Sequence, residues 1–310
     1  MNALHEFRRQ AFLMGSAFEF IIIAPQGQGE HLLDRSVAEV KRLEHLLTEF
    51  SPTSQTSKIN QAAGMGPVTV PEEVYQLILR SNSIANLTQG AFDITSGLLK
   101  RLYNFKGDDF IFPNRRQIRQ ALMKVGYQHI ELTNKDRVFL KKKGMHIGFG
   151  GIGKGYAADK VKAMLVEEGV TSGVINASGD LTAWGTRVDG SPWRVGIADP
   201  VKEDRMLLWL PIENASVATS GDYEQFFVKD GIRYSHTIDP KSGLPVRGIK
   251  SVTIISPVAE LSDALATAVF VMGVEVGLHF VNQLPQTHVV IVNNENKVFT
   301  SRKLNINFTR

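Results

Sequence analysis

The chain has 310 residues, of which 43% are hydrophobic and 21% are charged, and this ordinary globular composition excludes disordered and collagen-like proteins. The absence of cysteine excludes disulfides, thiolate metal sites, iron–sulfur clusters and cysteine nucleophiles. The formal net charge is +4, but the 35 basic and 31 acidic residues are mixed along the chain, so we expect no nucleic-acid partner.

The N-terminal segment predicts a buried strand and not a secretion signal. A signal needs about 7–15 apolar residues in a row, whereas Gly15, Ser16 and Glu19 interrupt the apolar run here. Phe18 and Phe20 alternate with Glu19, which is typical of a strand. No later stretch reaches about 18 apolar residues, so we expect no membrane insertion. These features favour a cytoplasmic protein; a periplasmic location stays open, because a chain that had lost its leader would look the same.

Predicted helices and strands follow one another irregularly along the rest of the chain. Apolar residues at steps of three and four predict helices over roughly 30–50, 71–90, 113–125 and 154–168. Residues 128–149 predict a hairpin, and the stretch 172–256 is rich in strands. A long apolar helix is predicted from near Ser262 to about Leu284, with a weak point at Gly273, and two strands follow it. Because strands outnumber helices and are often consecutive, we expect an α+β fold and not a doubly wound sheet.

A cluster of glycines is the strongest local signal. Five of them fall within eight residues of the segment IGFGGIGKGYAAD, at positions 148, 150, 151, 153 and 155. Glycine is needed where the backbone approaches a ligand closely or takes a positive φ. A predicted strand, then glycines, then the start of a helix is typical of an anion-binding site.

Two known phosphate motifs match this segment only in part. Its glycines fit the spacing of the dinucleotide fingerprint, but the next predicted strand ends in Asn176 where that fingerprint has an acidic residue. Gly148-x-x-x-x-Gly153-Lys154 fits a P-loop, except that Gly155 stands where a Ser or Thr should hold Mg²⁺. A turn whose glycines serve only packing is the third alternative.

Two further groups of residues carry possible chemistry. Asp263 and Thr267 lie four residues apart near the start of a predicted helix, so they share a face. A carboxylate and a hydroxyl are hard oxygen ligands suited to Mg²⁺ or Ca²⁺; helix capping is the alternative. His236 precedes the turn signal DPKSG and suits acid–base or phosphate-binding chemistry, with a surface turn as the alternative. The other histidines show no paired metal-ligand spacing, so we expect no zinc site.

Eight segments, taken together and in order, resemble the ApbE-like family of FAD:protein FMN transferases. Each segment is weak by itself, but eight in the correct order are a specific signal. The segments are MGS (14–16), FSPTSQTSKIN (50–60), GAFDIT (90–95), GGIGKGYAAD (150–159), INASGD (175–180), TSGDYEQFF (219–227), YSHTIDPKSGLPV (234–246) and DALATAVFVMG (263–273).

The resemblance implies a single α+β domain over 5–310, related to the T-fold, in which mixed or antiparallel sheets flanked by helices surround a central FAD cleft. It also implies Mg²⁺-dependent cleavage of the FAD pyrophosphate. FMN would then be attached through a phosphoester bond to a threonine of an acceptor flavoprotein, and AMP would be released. Some members of the family hydrolyse FAD to FMN and AMP instead.

The resemblance further implies the roles of individual residues. Asp263, Thr267 and the backbone carbonyl of Gly151 would bind Mg²⁺. His236 would be catalytic, either at the scissile phosphate or as the base for the incoming threonine. The residues expected at the FAD site are Met14, Phe50, Ala91, Phe92, Asp93, Lys154 and Asp222.

The chain departs from the family pattern in three places. The family usually has D-L-G-G where this chain has Gly148-Phe149-Gly150-Gly151, so a carboxylate that contacts FAD is missing. Ser178 replaces the first glycine of a Gly-Gly-Asp motif, and we expect the chain to lack the exported, often lipid-anchored, N-terminus that is usual in the family. Three functions therefore stay open: the transferase, an FAD pyrophosphatase, and a protein that binds FAD without turnover.

Overall fold

The computed structural model describes residues 3–103, 105, 112–199, 206–221, 226–229, 231–302 and 304. Within these ranges the α-helices are α1 (Gly29–Leu47), α2 (Gln55–Gln61), α3 (Glu72–Leu87), α4 (Gly97–Lys100), α5 (Arg115–Leu122), α6 (Gly153–Glu167), α7 (Ala259–Met272) and α8 (Val274–Val281). The strands are β1 (Leu4–Leu13), β2 (Ser16–Pro25), β3 (Val68–Thr69), β4 (Ile130–Thr133), β5 (Arg137–Leu140), β6 (Ser172–Ala177), β7 (Asp180–Trp184), β8 (Trp193–Ala198), β9 (Met206–Ile212), β10 (Ala215–Gly221), β11 (Phe226–Lys229), β12 (Ile232–Ser235), β13 (Ile249–Ser256), β14 (His288–Asn293) and β15 (Val298–Thr300).

An eight-stranded sheet forms the centre of the fold, in the order β1-β2-β6-β7-β10-β13-β14-β15. All neighbouring strands in it are antiparallel. The short sheets β3-β5-β4, β8-β9 and β11-β12 are antiparallel too. The predicted α+β class with sheets flanked by helices is confirmed. The absence of a parallel βαβ unit among the described strands removes the basis of a dinucleotide-binding fold.

Strand β2 shows how the sheet is covered on both faces. Successive side chains of a strand point to opposite faces. Phe18, Phe20 and Ile22 point into the main core beneath the helices, where each is at most 1% exposed. Ile21 and Ile23 point the other way, into a second core that the β8–β9 hairpin closes. The sheet is therefore a middle layer between helices and a hairpin.

Helix α7 begins earlier than the sequence predicted, at Ala259 and not near Ser262. No side chain of α7 caps its first turn. Instead, the carboxylate of Asp159, on α6, accepts the backbone N–H groups of Ala259 and Glu260 at 3.1 and 2.8 Å. The cap comes from a distant helix, so the local sequence around Ser262 could not reveal it. The contact fixes the start of α7 against α6.

The contribution of Asp159 to the stability of the fold is expected to depend on pH. Burial, opposed by the two backbone hydrogen bonds, raises the pKa of Asp159 from 3.8 to about 6. Between these two values the folded chain takes up a proton that the unfolded chain does not, so the contribution of Asp159 to stability rises as pH falls. We expect the difference in melting temperature, wild type minus Asp159→Asn, to become larger as the pH is lowered from about 7.5 to 5. A difference that stays constant over this range would contradict the assignment.

Most predicted helices and strands are present, with three differences. The predicted hairpin over 128–149 ends at Leu140. The polar stretch after α1, for which no helix was predicted, contains α2, whose N-terminus is capped by the Ser54 side chain. Strand β1 was not predicted, because charged residues interrupt its apolar pattern. The weak point at Gly273 is confirmed, since α7 and α8 meet there with φ of +85°. None of the described helices is long and apolar enough to cross a membrane.

Candidate active site

A cleft of about 360 Å³ opens between the start of α6, the middle of α7 and the loop after α3. Eight of the eleven predicted site residues line it: Ala91, Phe92, Asp93, Gly151, Lys154, His236, Asp263 and Thr267. These residues come from four distant parts of the chain. A second cavity, of about 490 Å³, lies between the sheet and the β8–β9 hairpin and is lined by none of the eleven. The first cleft is therefore the candidate active site.

The packing of α6 against α7 places the Asp263 carboxylate. Asp263 Oδ2 accepts the backbone N–H of Gly155 at 3.1 Å, at the N-terminal end of α6. A side chain at Gly155 would place its Cβ 2.2 Å from the carbonyl oxygen of Ala259 and 2.9 Å from Cβ of Asp263. Only glycine allows this approach. Asp263 thus caps α6 and not its own helix, which corrects the simple capping alternative.

Gly151 brings the turn before α6 against the opposite wall of the cleft. A Cβ at Gly151 would lie 3.0 Å from Thr267 Oγ1 and 3.6 Å from the ring of Phe92. Ser220 Oγ lies 3.4 Å from the same Thr267 hydroxyl. Thr267 and Asp263 are one helical turn apart on α7, so both side chains enter the cleft. A carboxylate, two hydroxyls and an open stretch of backbone therefore meet at one place.

The turn itself differs from the predicted strand–glycine–helix arrangement. Strand β5 ends at Leu140, well before the glycines. The backbone N–H of Gly148 donates to the carbonyl of Ile94 at 2.9 Å, which joins the turn to the GAFDIT loop. This hydrogen bond holds the glycine cluster and the GAFDIT segment together along one side of the cleft.

The charges of the cleft favour a cation. Asp263 and Asp180 are 5% and 3% exposed, and Lys154 Nζ lies 2.5 Å from Asp180 Oδ2. Burial and the negative charge of Asp180 raise the pKa of Asp263 well above its usual range, although Lys154 opposes the shift. A bound cation would offset the free-energy cost of keeping the Asp263 carboxylate ionised at this buried position.

The donor set fits Mg²⁺. Carboxylate, hydroxyl and backbone carbonyl oxygens are the hard ligands that Mg²⁺ prefers. In the described part of the chain no group of three or more His, Asp or Glu side chains is arranged to hold a metal. An ion at Asp263 would therefore be completed by Thr267, by backbone oxygens or by oxygens of the substrate, as Mg²⁺ often is in phosphate sites.

Asp93 lines the cleft, but its oxygens bind the protein. Oδ1 accepts the backbone N–H and the hydroxyl of Thr95 at 2.8 and 2.7 Å, and Oδ2 accepts the N–H of Tyr127 at 2.9 Å. Burial raises the pKa of Asp93 despite these hydrogen bonds. The carboxylate therefore shapes the wall of the cleft.

Three predicted residues do not line the described cleft. Met14 lies in the β1–β2 turn with φ of +50°, and its methyl carbon would be 3.6 Å from a Cβ at Gly153. Phe50 is 85% exposed. Asp222 lies outside the described residues. For all three, contact with a ligand stays a prediction.

The structure also adds cleft residues that the sequence did not single out. Asp180 and Ser220 belong to two of the eight segments, INASGD and TSGDYEQFF, so the segments pointed to their neighbourhood without giving them a role. Glu49 lines the cleft as well. It precedes the segment FSPTSQTSKIN, and no motif or spacing in the sequence distinguishes it from a surface glutamate.

Comparisons with known proteins identify the family of the chain. The ApbE family profile matches residues 14–291. An FAD:protein FMN transferase of Klebsiella pneumoniae is 33% identical over 302 residues, covering 96% of this chain and 93% of that protein. An FAD:protein FMN transferase of Treponema pallidum is 28% identical, covering 96% and 87%.

Solved structures show the same fold. The ApbE protein of Thermotoga maritima superposes with a TM-score of 0.88 at 33% identity and covers 96% of this chain and 97% of that one. The flavinyl transferase ApbE of Pseudomonas stutzeri, in its apo form, gives 0.87 at 28% identity and covers 96% and 95%. The sequence match, the shared fold and the cleft built from the predicted segments agree, so this chain belongs to the ApbE family of transferase enzymes.

Proposed function

We propose that the cleft binds FAD and Mg²⁺, and that the protein transfers FMN from FAD to a threonine hydroxyl of an acceptor flavoprotein and releases AMP. One observation carries the proposal: the buried Asp263 carboxylate shares the cleft with Thr267, the Gly151 turn and His236. These are the residues that the family resemblance assigns to the metal and to catalysis.

Electrostatics explain why the proposed reaction would need a metal. The pyrophosphate of FAD is an anion, and the buried carboxylates of Asp263 and Asp180 would repel it at short range. Asp263, Thr267 and the carbonyl of Gly151 would hold Mg²⁺, which when bound would neutralise both the carboxylate and the phosphate oxygens. The ammonium group of Lys154, beside Asp180 at the start of α6, would add a second positive charge for the phosphates.

His236 supports the transfer step. It lines the same cleft as Asp263 and Lys154. An imidazole there can take the proton of the attacking threonine hydroxyl or donate a hydrogen bond to the scissile phosphate. In the transfer, the threonine oxygen would form a bond to the FMN phosphorus while the bond from that phosphorus to the AMP phosphate oxygen breaks. AMP would leave with the bridging oxygen.

The test is an incubation of the protein with FAD, Mg²⁺ and a peptide that carries one threonine among small residues. We expect the peptide to gain the mass of FMN less one water, which equals the mass of FAD minus that of AMP, and an equal amount of AMP to appear; EDTA should stop both. A peptide that contains neither serine nor threonine is the matched control. Free FMN and AMP without a modified peptide would indicate an FAD pyrophosphatase, and FAD that is bound but unchanged would indicate a binding protein.

A further inference from the structure

We propose that Glu49 binds FAD, by accepting a hydrogen bond from an N–H or O–H group of the dinucleotide outside the pyrophosphate. The inference rests on the proposed function, because it takes FAD as the occupant of the cleft. Glu49 lines this cleft together with Gly148 and Phe92, and its side chain is 24% exposed.

The carboxylate of Glu49 has one oxygen in use and one available. Oε2 accepts a hydrogen bond from Arg101 Nη2 at 2.6 Å and lies 2.5 Å from His146 Nε2. Across the described residues, Oε1 makes no hydrogen bond to the protein. The hydrogen bond with His146 and the charge of Arg101 lower the pKa of Glu49, although partial burial opposes them. Oε1 is therefore an ionised acceptor at the edge of the cleft.

The partners of Glu49 are themselves held in place. Asn60 donates from Nδ2 to the carbonyl of Ile147 at 2.9 Å and accepts the N–H of Ile147 at 2.8 Å. The same Nδ2 lies 3.2 Å from His146 Nε2. These contacts join α2 to the segment that enters the glycine turn. The position of the Glu49 carboxylate is thus set before any ligand arrives, which favours binding.

The glycine at position 148 opens the space in front of this carboxylate. A Cβ at Gly148 would lie 3.5 Å from Cδ and Oε2 of Glu49 and 3.6 Å from Oε1, an ordinary van der Waals distance. No positive φ is recorded at Gly148, so its backbone conformation is open to other residues. Because residue 148 has no side chain, a ligand group can reach the carboxylate from the cleft.

The charge of Glu49 selects the part of FAD that it can meet. An ionised carboxylate repels the pyrophosphate, so it must face a neutral part of the molecule. FAD has three kinds of donor there: the imide N–H of the flavin, the exocyclic amine of adenine, and the hydroxyls of the ribityl and ribose groups. A carboxylate accepts from all three, and separate binding of FMN and AMP shows which half of FAD supplies the donor.

The first test compares wild type with Glu49→Gln, which keeps the shape of the side chain but removes its charge. Hydrogen bonds to charged groups are stronger than neutral ones, so we expect KM for FAD to rise roughly 10-fold or more, with kcat changing less than about threefold. The dissociation constants of FMN and of AMP, each measured with Mg²⁺, should respond differently to Glu49→Gln. Only the half of FAD that contacts Glu49 should bind more weakly to the variant than to wild type. Glu44→Gln, on α1 and outside the cleft lining, is the matched control.

The second test places a carboxylate at position 148 in place of the one at position 49. Gly148→Asp alone places a second negative charge beside Glu49 and should weaken FAD binding. In a Glu49→Ala background the same substitution should restore part of the lost affinity, which a purely structural role of Glu49 would not produce. A double variant that binds FAD no better than Glu49→Ala would overturn the proposal.

The failures of the two proposals can be told apart. If wild type neither binds nor converts FAD, the proposed function is wrong. If wild type binds FAD and Glu49→Gln has an unchanged KM, the proposed function stands and the role of Glu49 is overturned.

Discussion

Replacing Asp263 with asparagine is expected to lower the rate of FMN transfer at least about 100-fold while leaving the apo protein at least as stable as wild type. The loss of activity follows from the metal: an amide oxygen binds Mg²⁺ far more weakly than a carboxylate does. The measurements are the initial rate of peptide modification with saturating Mg²⁺ and the melting temperature in EDTA.

The expected stability follows from the burial of Asp263. Burial and the charge of Asp180 raise the pKa of Asp263, so folding disfavours its ionised carboxylate relative to the unfolded chain. Asparagine removes this charge and the repulsion from Asp180, and its side-chain oxygen can still accept the N–H of Gly155. Most substitutions of buried polar residues destabilise a protein, so an unchanged or higher melting temperature together with lost activity is a distinctive result.

A matched control for Asp263→Asn is Asp34→Asn, at an exposed residue of α1 that pairs only with Arg9 among the described residues. It should keep wild-type activity. Mg²⁺ should raise the melting temperature of wild type and of this control but not that of Asp263→Asn. Full activity in Asp263→Asn would show that the metal assignment is wrong.

Replacing Gly155 with alanine is expected to destabilise the protein by about 2 kcal/mol or more and to reduce activity with it. In a helix, alanine is normally favoured over glycine by about 1 kcal/mol. Here the added methyl group would meet the Ala259 carbonyl at 2.2 Å, a contact with rigid backbone that only a shift of α6 or α7 can relieve. The shift would also move Asp263 away from the N-terminus of α6.

The control for this substitution is Gly66→Ala, at a loop position where an added Cβ meets nothing within 4 Å. Urea unfolding should show a free energy of unfolding within about 0.5 kcal/mol of wild type for Gly66→Ala. A Gly155→Ala variant as stable as wild type would mean that α6 and α7 are not held as closely together as the contact between Gly155 and Ala259 indicates.

These two residues also show what the sequence could and could not predict. The spacing of Asp263 and Thr267 predicted that they share one helix face, and the resemblance carried by the eight ordered segments implied that distant residues share a cleft. The hydrogen bond from Gly155 to Asp263 crosses more than 100 positions, and the glycine cluster gave no indication of which glycine serves helix packing. Local patterns carry no information about such partners.

Glu49 and strand β1 show the other limit. The proposed role of Glu49 depends on Arg101 and His146, which hold its carboxylate, and on the missing side chain at position 148, all of which are separated from it in sequence. Strand β1 alternates in burial only weakly, and its charged residues hide the period of two on which strand prediction depends. In both cases the residue or strand is defined by its neighbours in space, which a local sequence pattern does not show.

The same charged residues of β1 have a consequence for how copies of the protein meet. In the described sheet β1 is an edge strand, paired only with β2. The outer edge of such a strand can add a strand from another chain and so begin aggregation. Glu6, Arg8 and Arg9 carry charge along this strand, with Arg8 bound to Glu6 and Arg9 to Asp34. Charged side chains along an edge strand disfavour such pairing, so the residues that obscure β1 in the sequence also protect the sheet from growing.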